Sequence, residues 1–534
     1  MTGLIRPFSD TYADYLGDES RLSGHAQSVS FPKDEAEVVD IFSQLRHQGI
    51  PVTVQGGRTG IAGGAVPSGG HLMSLLAMDR VLGMTRGRQG RFLVRVQPGL
   101  RLDSLHLQLE SGRFGTEGWD RDSLAALEAF KQSGPYFWPP DPTEATATVG
   151  GIAGTDAGGP CAHLYGSAGD HIHAVRIMDP KGGVYDIRRG QYQVSPDRLP
   201  SSLGKALAPA SGTETIAGDM DLLDLLPGSE GCLGIFLSMT LVLRPRPDEM
   251  WGILFFFNTL ERAAGFIQAI GERGRIEGPR HSGDGARGAI ARIAAADIMD
   301  RTTLDAVRKL KQTMTRLKRI PEPDPSAGAG VYLEIHGGDT GGIEDMAGQL
   351  IETASDFGSD PDRSLACSGA SGLQQFRRFR VAAPEAVNME IDRRRQHDSR
   401  ILKLGTDMVF PGMALPDLVR MYARDIEENG LEAALFGHGL DRRLHVNILP
   451  RDYNDYCRGR DLVAAWAQAA CGAGGSPVGE HGVGKLKTHL VGPACMPERL
   501  AWQLRLKQAW DPRGLLNPGN WSGVENKQTG GNNG

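Results

Sequence analysis

Two short motifs in the last quarter of the chain gather residue types that bind metal ions and move protons. GHGLDRRLHVN runs from Gly437 to Asn447, and GEHGVGK from Gly479 to Lys485. Two neutral imidazoles, His438 and His445, with the carboxylate of Glu480 make a donor set that suits zinc or a similar divalent ion. His481, next to that carboxylate, is of the type that serves as a general base. His445 and Asn447 point to the same side if their segment is a strand. The same residues can also be read as tight turns whose histidines satisfy backbone groups, since the proposed ligands lack a regular local spacing. GEHGVGKL is not a P-loop, because Leu486 stands where a magnesium-binding Ser or Thr is required.

Three glycine-rich segments precede these motifs: PVTVQGGRTGIAGGAVP (51–67), PPDPTEATATVGGIAGTDAGG (139–159) and LLPGSEGCLGI (225–235). Glycine lets many backbone N–H groups turn toward one ligand, so such a loop can cradle a pyrophosphate without cationic side chains. None fits G-x-G-x-x-G after a strand, which excludes a Rossmann fingerprint. Any one of them alone reads equally well as a structural turn. Further along, FRRFRVAAPEA carries Arg377, Arg378 and Arg380. Without more context these are solvated helix charges, although a guanidinium fork also suits a carboxylate.

The elements that must position these residues are legible in outline. Val38, Phe42 and Leu45, followed by Gly49, predict an amphipathic helix over 34–49 that feeds a strand from Pro51. Further strands are expected at Phe92–Val96, Ala174–Met178 and Ile235–Leu243, the last ending at RPRP (244–247), a domain boundary. Beyond it, Trp251–Phe257 and Val331–Gly337 read as strands and Leu260–Gly271 as a helix. That alternation implies a second α/β layer domain. Leu304–Ile320 reads as one basic amphipathic helix, either a solvated face or a membrane-surface element.

A chain of 534 residues exceeds what one core holds, ~250–300 residues, so two domains are expected. With 40% hydrophobic and 23% charged residues and a net charge of −6, the composition is that of a soluble globular protein and gives no sign of a nucleic-acid partner. The six cysteines form no C-x-x-C pair, which argues against a self-contained iron–sulfur cluster and reads as reduced thiols. No 18-residue apolar stretch and no leader pattern occur, so the chain reads as cytoplasmic, at most peripheral on a membrane. The polar residues 522–534 read as a disordered tail.

Taken in order and spacing, the three loops resemble the flavin domain of the vanillyl-alcohol oxidase/p-cresol methylhydroxylase superfamily. The remainder, ending in DPRGLLNPGNW (511–521), resembles its FAD-linked oxidase C-terminal domain. Within it, the branch of D-lactate dehydrogenase, glycolate oxidase and D-2-hydroxyglutarate dehydrogenase is the nearest in motif, and LKLGTDMVFP (402–411) looks most like the last of these. The resemblance implies an α+β fold with a PCMH-type FAD-binding domain (25–247), a substrate-binding or cap domain (248–499) and a segment (500–521) returning to the FAD domain.

The resemblance further implies noncovalent FAD, held by Gly56, Gly57, Arg58, Thr59, Gly60, Gly63 and Gly64; by Pro140, Asp141, Thr148, Gly150, Gly151 and Gly158; and by Gly228, Glu230, Gly231, Gly234 and Asn517. Arg58 stands where the family commonly has asparagine. His438, His445 and Glu480 match the family's metal ligands, with zinc the leading candidate, although GLDRR replaces the usual GDGN between the histidines. His481 matches the base, Arg380 the arginine for the substrate carboxylate, Lys403 the lysine that follows it, and Asn447 the polar residue two beyond the second histidine. The implied activity is oxidation of a D-2-hydroxy acid, D-2-hydroxyglutarate or D-lactate, with electrons passing to an iron–sulfur subunit, an electron-transfer flavoprotein, a quinone or a cytochrome. A flavin oxidase of another alcohol, or the flavoprotein subunit of a glycolate-oxidase-type complex, is the alternative.

Overall fold

The computed structural model describes residues 3–87, 90–194, 202–206, 220–276, 290–492 and 495–522. The chain forms two compact units. One comprises Met1–Gly159, Gly166–Arg244 and Glu480–Gly534, the other Pro160–Tyr165 and Pro245–Gly479.

In the first unit, β1 (Ser28–Ser30) is followed by α1 (Glu35–His47), β2 (Val52–Gln55) and β3 (His71–Ser74). The side chain of Asp34 caps α1 by accepting from the Glu37 amide, and the helix stops before Gly49, whose φ of +69° a Cβ would resist. Its apolar stripe, Val38, Ile41, Phe42 and Leu45, is fully buried against Val52, Met73 and Leu516. β1, β3 and β2 pair in parallel. A five-stranded antiparallel sheet lies in the same unit, ordered β4 (Val81–Arg86), β5 (Phe92–Val96), β8 (Ile235–Val242), β6 (Ile172–Met178) and β7 (Val184–Arg188). α2 (Val149–Thr155) starts at Thr148, and the short α3 (Ala162–Tyr165) belongs to the second unit.

The second unit is built on one seven-stranded sheet whose strands all pair antiparallel. Its chain order is β9 (Glu249–Phe257), α4 (Leu260–Ile276), β10 (Arg292–Asp300), α5 (Arg301–Thr313), β11 (Ala329–Gly337), α6 (Thr340–Asp356), β12 (Leu365–Ser368), α7 (Gly369–Arg395), β13 (Leu404–Gly405), α8 (Leu415–Glu428), β14 (Ala433–His438) and β15 (Arg443–Ile448). The spatial order is β12-β9-β11-β10-β14-β15-β13. The expected α/β layer is therefore an α+β layer. Alternating strands and helices reveal layers, but parallel and antiparallel returns share that pattern.

Two local expectations are corrected. The single helix expected over Leu304–Ile320 ends at Thr313, and Met314 turns extended (φ −109°, ψ 113°) before a 3-10 turn at Thr315–Leu317. β-Branched threonines flank the break, and Leu317 and Ile320 are still buried beyond it. On its polar face, Arg308 pairs with Asp305, Lys311 with Glu322 and Arg316 with Glu385. Of the six cysteines expected as thiols, Cys471 and Cys495 are disulfide-bonded. The tail expected to be disordered falls, past Ser522, outside the described residues. Among the described residues no helix is long and apolar enough to cross a membrane.

Candidate functional site

In the first unit the pyrophosphate-type loop leaves the end of β2. The Ala65 amide is engaged by the Asp18 carboxylate, and among the described residues none of the backbone N–H groups from Gly56 to Gly64 donates to a protein acceptor. The loop is half to fully buried, so a run of amides at that depth calls for an anionic ligand. This fits a dinucleotide pyrophosphate. The segment 146–148 explains two of the glycines: a Cβ on Gly56 would stand 2.3 Å from the Thr148 hydroxyl, and one on Gly57 would stand 2.8 Å from the Thr146 carbonyl. The same hydroxyl caps α2 by accepting from the Gly151 amide at 3.3 Å. The third loop is tied to α2 as well, Gly228 donating to the Ala153 carbonyl (2.9 Å) and Glu230 to that of Gly154 (2.8 Å).

Arg58 departs from the family residue for a visible reason. Its guanidinium donates to the Asp14 carbonyl and lies 4.4 Å over the Tyr15 ring, while its own carbonyl accepts from Glu19. Gln55 donates to the Tyr15 carbonyl at 2.8 Å. The side chain thus fastens the N-terminal segment to the loop.

Glu230 and Asn517, both expected as cofactor residues, have their side chains engaged by protein. The Glu230 carboxylate accepts from the Val483 amide (2.7 Å), the Gly484 amide (2.8 Å) and the Trp521 indole (3.1 Å). Burial pushes its carboxyl above the usual range, against those three donors. Asn517 accepts from the Val54 amide at 2.7 Å and donates to the Glu230 carbonyl. Lys485 closes the arrangement, its ammonium 2.6 Å from Asn520 and lowered to about 8 by burial. The motif that resembled a P-loop is a clasp behind the glycine loop. Lys485, Asn520 and Trp521 were missed as parts of this network, although GVGK and NPGNW carried them. Glu480 opens this last segment, accepting from the Gly159 amide at 3.3 Å with His481 3.9 Å from its other oxygen. Asp141 receives the Thr143 amide and donates its own to the Gly158 carbonyl.

In the second unit, β14 and β15 form a hairpin that brings His438 and His445 together, ring centroids 5.3 Å apart and planes at 87°. Both are buried. His438 Nδ1 lies 2.7 Å from an Asp297 oxygen, and His445 Nδ1 lies 3.1 Å from the Thr406 carbonyl. Each partner is an acceptor, which places the proton on Nδ1 and leaves Nε2 as the metal-binding nitrogen. The pair therefore fits a divalent cation. Burial alone would raise the Asp297 carboxyl, yet His438, and then Arg380 3.5 Å away, hold it below its ordinary value. Asn447 shares this hairpin and donates to the His445 carbonyl, while Lys403 donates to Asn388 on α7 at 2.7 Å. The arginines of GLDRR are both engaged: Arg442 donates to the Pro411 carbonyl (2.6 Å), and Arg443 stands 3.7 Å from Asp441.

Arg380 is buried on α7, and Arg377, one turn earlier, forks onto Glu334. Sequence reasoning missed Asp297, Thr406, Glu334 and His336. The signal for the last two was present in VYLEIHG, where Tyr332, Glu334 and His336 fall at alternate positions of an apolar strand and so share one face.

The chain belongs to the FAD-linked oxidases: a family model described as FAD binding domain matches residues 26–120 and 123–188, and one described as FAD linked oxidases, C-terminal domain, matches residues 286–521. Among curated relatives it is 25% identical over 515 residues to a D-lactate dehydrogenase of Anaerostipes hadrus, covering 95% of this chain and 92% of that one. It is 24% identical to the glycolate oxidase subunit GlcD of Escherichia coli (strain K12), covering 92% of this chain and 82% of that one. A solved 4-ethylphenol oxidase from Gulosibacter chungangensis superposes with a TM-score of 0.60 at 17% identity, over 97% of this chain and 94% of that one. An alkyldihydroxyacetonephosphate synthase gives 0.59 at 13% identity, over 97% of this chain and 82% of that one. These two establish the PCMH-type α+β fold.

Proposed function

We propose that this chain is an FAD-dependent dehydrogenase that oxidises a D-2-hydroxy acid, D-2-hydroxyglutarate or D-lactate, to the 2-oxo acid. The observation that carries the reading is the polar strip on the second unit's sheet, where His438 and His445, each with its Nδ1 engaged, stand beside Asp297 and Arg380. The named relatives include a D-lactate dehydrogenase and a glycolate oxidase subunit.

When bound, FAD supplies the two-electron acceptor for the substrate hydride. Its residues are the amides of 56–64, and the lack of a histidine in that loop supports noncovalent binding. His438 and His445 would hold a divalent ion, zinc first, which would stabilise negative charge on the substrate hydroxyl oxygen. Glu480 and His481 enter this reading on their motif, Glu480 as the third ligand and His481 as the base that takes the hydroxyl proton. Arg380 presents a fork to the substrate carboxylate, with Lys403 helping to neutralise it, and Asn447 enters on its place two residues beyond His445. Reoxidation goes to a separate electron acceptor.

The test is anaerobic bleaching of the flavin absorbance across a panel of D- and L-2-hydroxy acids. Rapid bleaching by D-2-hydroxyglutarate or D-lactate, and not by their L-isomers, is expected. Bleaching by simple alcohols alone would replace this reading with that of an alcohol oxidase, and bleaching by none would leave a flavoprotein without this activity.

A further inference from the structure

A second cluster on the same sheet face of the second unit is organised for proton transfer. His336 Nε2 lies 2.7 Å from a Glu334 oxygen, and the Tyr165 hydroxyl lies 2.7 Å from His336 Nδ1. Glu334 also accepts from Tyr332 (2.6 Å) and from the Arg377 Nε–H (3.0 Å). Glu334 and His336 are buried at 2% and 3% exposure, whereas Tyr165 is half-buried.

The protonation states follow from the partners. A carboxylate forked by Arg377 is ionised, and although burial opposes this, Glu334 is held well below the usual carboxylate range. The hydrogen shared with His336 therefore sits on Nε2, so Nδ1 carries the lone pair and accepts the Tyr165 O–H. A phenol, an imidazole and an ionised carboxylate in line repeat the logic of a nucleophile activated by an oriented base. Tyr332 does not qualify: it is fully buried and bonded to the carboxylate itself, and its phenol is pushed well above its usual range. Asp297 is the register partner of Tyr332 across β10 and β11, so this cluster and the His438 cluster share one face of the sheet.

We propose that Tyr165, His336 and Glu334 form an acid–base relay in which the Tyr165 phenol is a further catalytic group, taking a proton from a substrate O–H as its own proton passes to His336 Nδ1. Glu334 balances the imidazolium, no electrons move, and the reverse transfer resets the relay. That the substrate O–H belongs to a hydroxy acid rests on the function proposed above. The activation of the phenol does not.

The first experiment therefore uses no substrate. The holoenzyme is treated with phenylmethanesulfonyl fluoride and the adducts are mapped by peptide mass spectrometry. Attack by Tyr165 forms an S–O bond and breaks S–F, fluoride leaves, and the phenol proton stays on His336. Tyr165 should be labelled at least tenfold faster than the other tyrosines, with a rate that rises at lower pH than theirs. The Cys161 thiol lies with Glu334 and His336, their ligand atoms within 4.8 Å, so Cys161→Ser is the control and should label as the wild type does. His336→Gln should reduce Tyr165 to the labelling rate of the other tyrosines. Labelling of Tyr165 that is no faster than theirs, or that follows an ordinary phenol near pH ~10 in the wild-type protein, would overturn the relay without reliance on any variant's folding. In the second experiment, Tyr165→Phe is reduced anaerobically by whichever hydroxy acid bleaches the wild type. A tenfold or greater loss in the limiting rate, with substrate affinity and FAD content unchanged, is expected. Wild-type rates would remove Tyr165 from catalysis, whereas failure of every acid to bleach the wild type would count against the hydroxy-acid reading and leave the labelling result standing.

Discussion

His438 and His445 meet edge to face, their ring planes at 87°, and each is oriented from behind by a different kind of acceptor: a carboxylate for His438 and a backbone carbonyl for His445. The asymmetry has a chemical consequence, because a carboxylate raises the basicity of the imidazole it holds and a carbonyl does so less.

Asp297→Asn should therefore weaken metal binding by about 10–100-fold, the usual effect of losing such a partner. Metal content by elemental analysis after dialysis against a competing chelator measures this. Equal zinc retention in wild type and variant would show that Asp297 serves Arg380 alone.

Arg380→Lys keeps the charge and loses the fork. The apparent dissociation constant for the hydroxy acid should rise tenfold or more, about 1.4 kcal/mol or greater. Titrations of flavin absorbance at fixed pH give the value, and an unchanged constant would return Arg380 to a purely structural partner of Asp297.

Glu230→Ala removes the acceptor shared by two amides and an indole. Leaving those donors buried should cost roughly 3 kcal/mol or more. Calorimetry should show a lower melting temperature, and FAD should dissociate faster because the clasp no longer backs the glycine loop. Glu230→Gln, which keeps one acceptor oxygen, should fall between the two.

His71 makes stability depend on pH. It is fully buried between the Ser28 and Ser30 hydroxyls, and burial lowers its pKa from 6.5 to about 4. The unfolded chain thus binds the proton more readily than the folded one. The associated stability is complete above pH 6.5 and is lost as pH falls from there through about 4, at most ~3 kcal/mol. Melting temperatures of wild type and His71→Gln should converge toward pH 4 if this is right, and should run parallel if His71 does not titrate in that window.

Arg58→Asn restores the common family residue and shortens the side chain below the reach of Asp14. Trypsin should then cut after Arg21 several-fold faster, as followed by mass spectrometry. Unchanged cleavage would mean that Gln55 and the Glu19 amide hold the N-terminal segment without Arg58.

Much of this molecule is legible in its residues because local patterns settle it. The Val38, Phe42 and Leu45 stripe and the glycine stop placed α1 within two residues of its ends, and Phe92–Val96 is a strand over its whole expected length. His438 and His445 met because seven residues across a tight hairpin put them on adjacent strands. Partners from distant segments were not legible. Asp297 is 141 residues from His438, and only the strand order sets β10 beside β14. Glu230 followed the same rule in reverse: its motif suggested a ligand, and the residues that occupy it arrive more than 250 positions later.

Pro160–Tyr165 belongs to the second unit although the chain on either side of it belongs to the first. The second unit is therefore not a cassette. A gene fragment spanning 245–479 would encode β9 to β15 but omit Tyr165 and Cys161. Such a fragment could not be exchanged between relatives as a self-sufficient module, and recombination that breaks the chain at Pro245 would inherit His336 without its phenol. Any lineage that shuffles the specificity of this sheet must carry along a hexapeptide read from the middle of the flavin-domain gene segment.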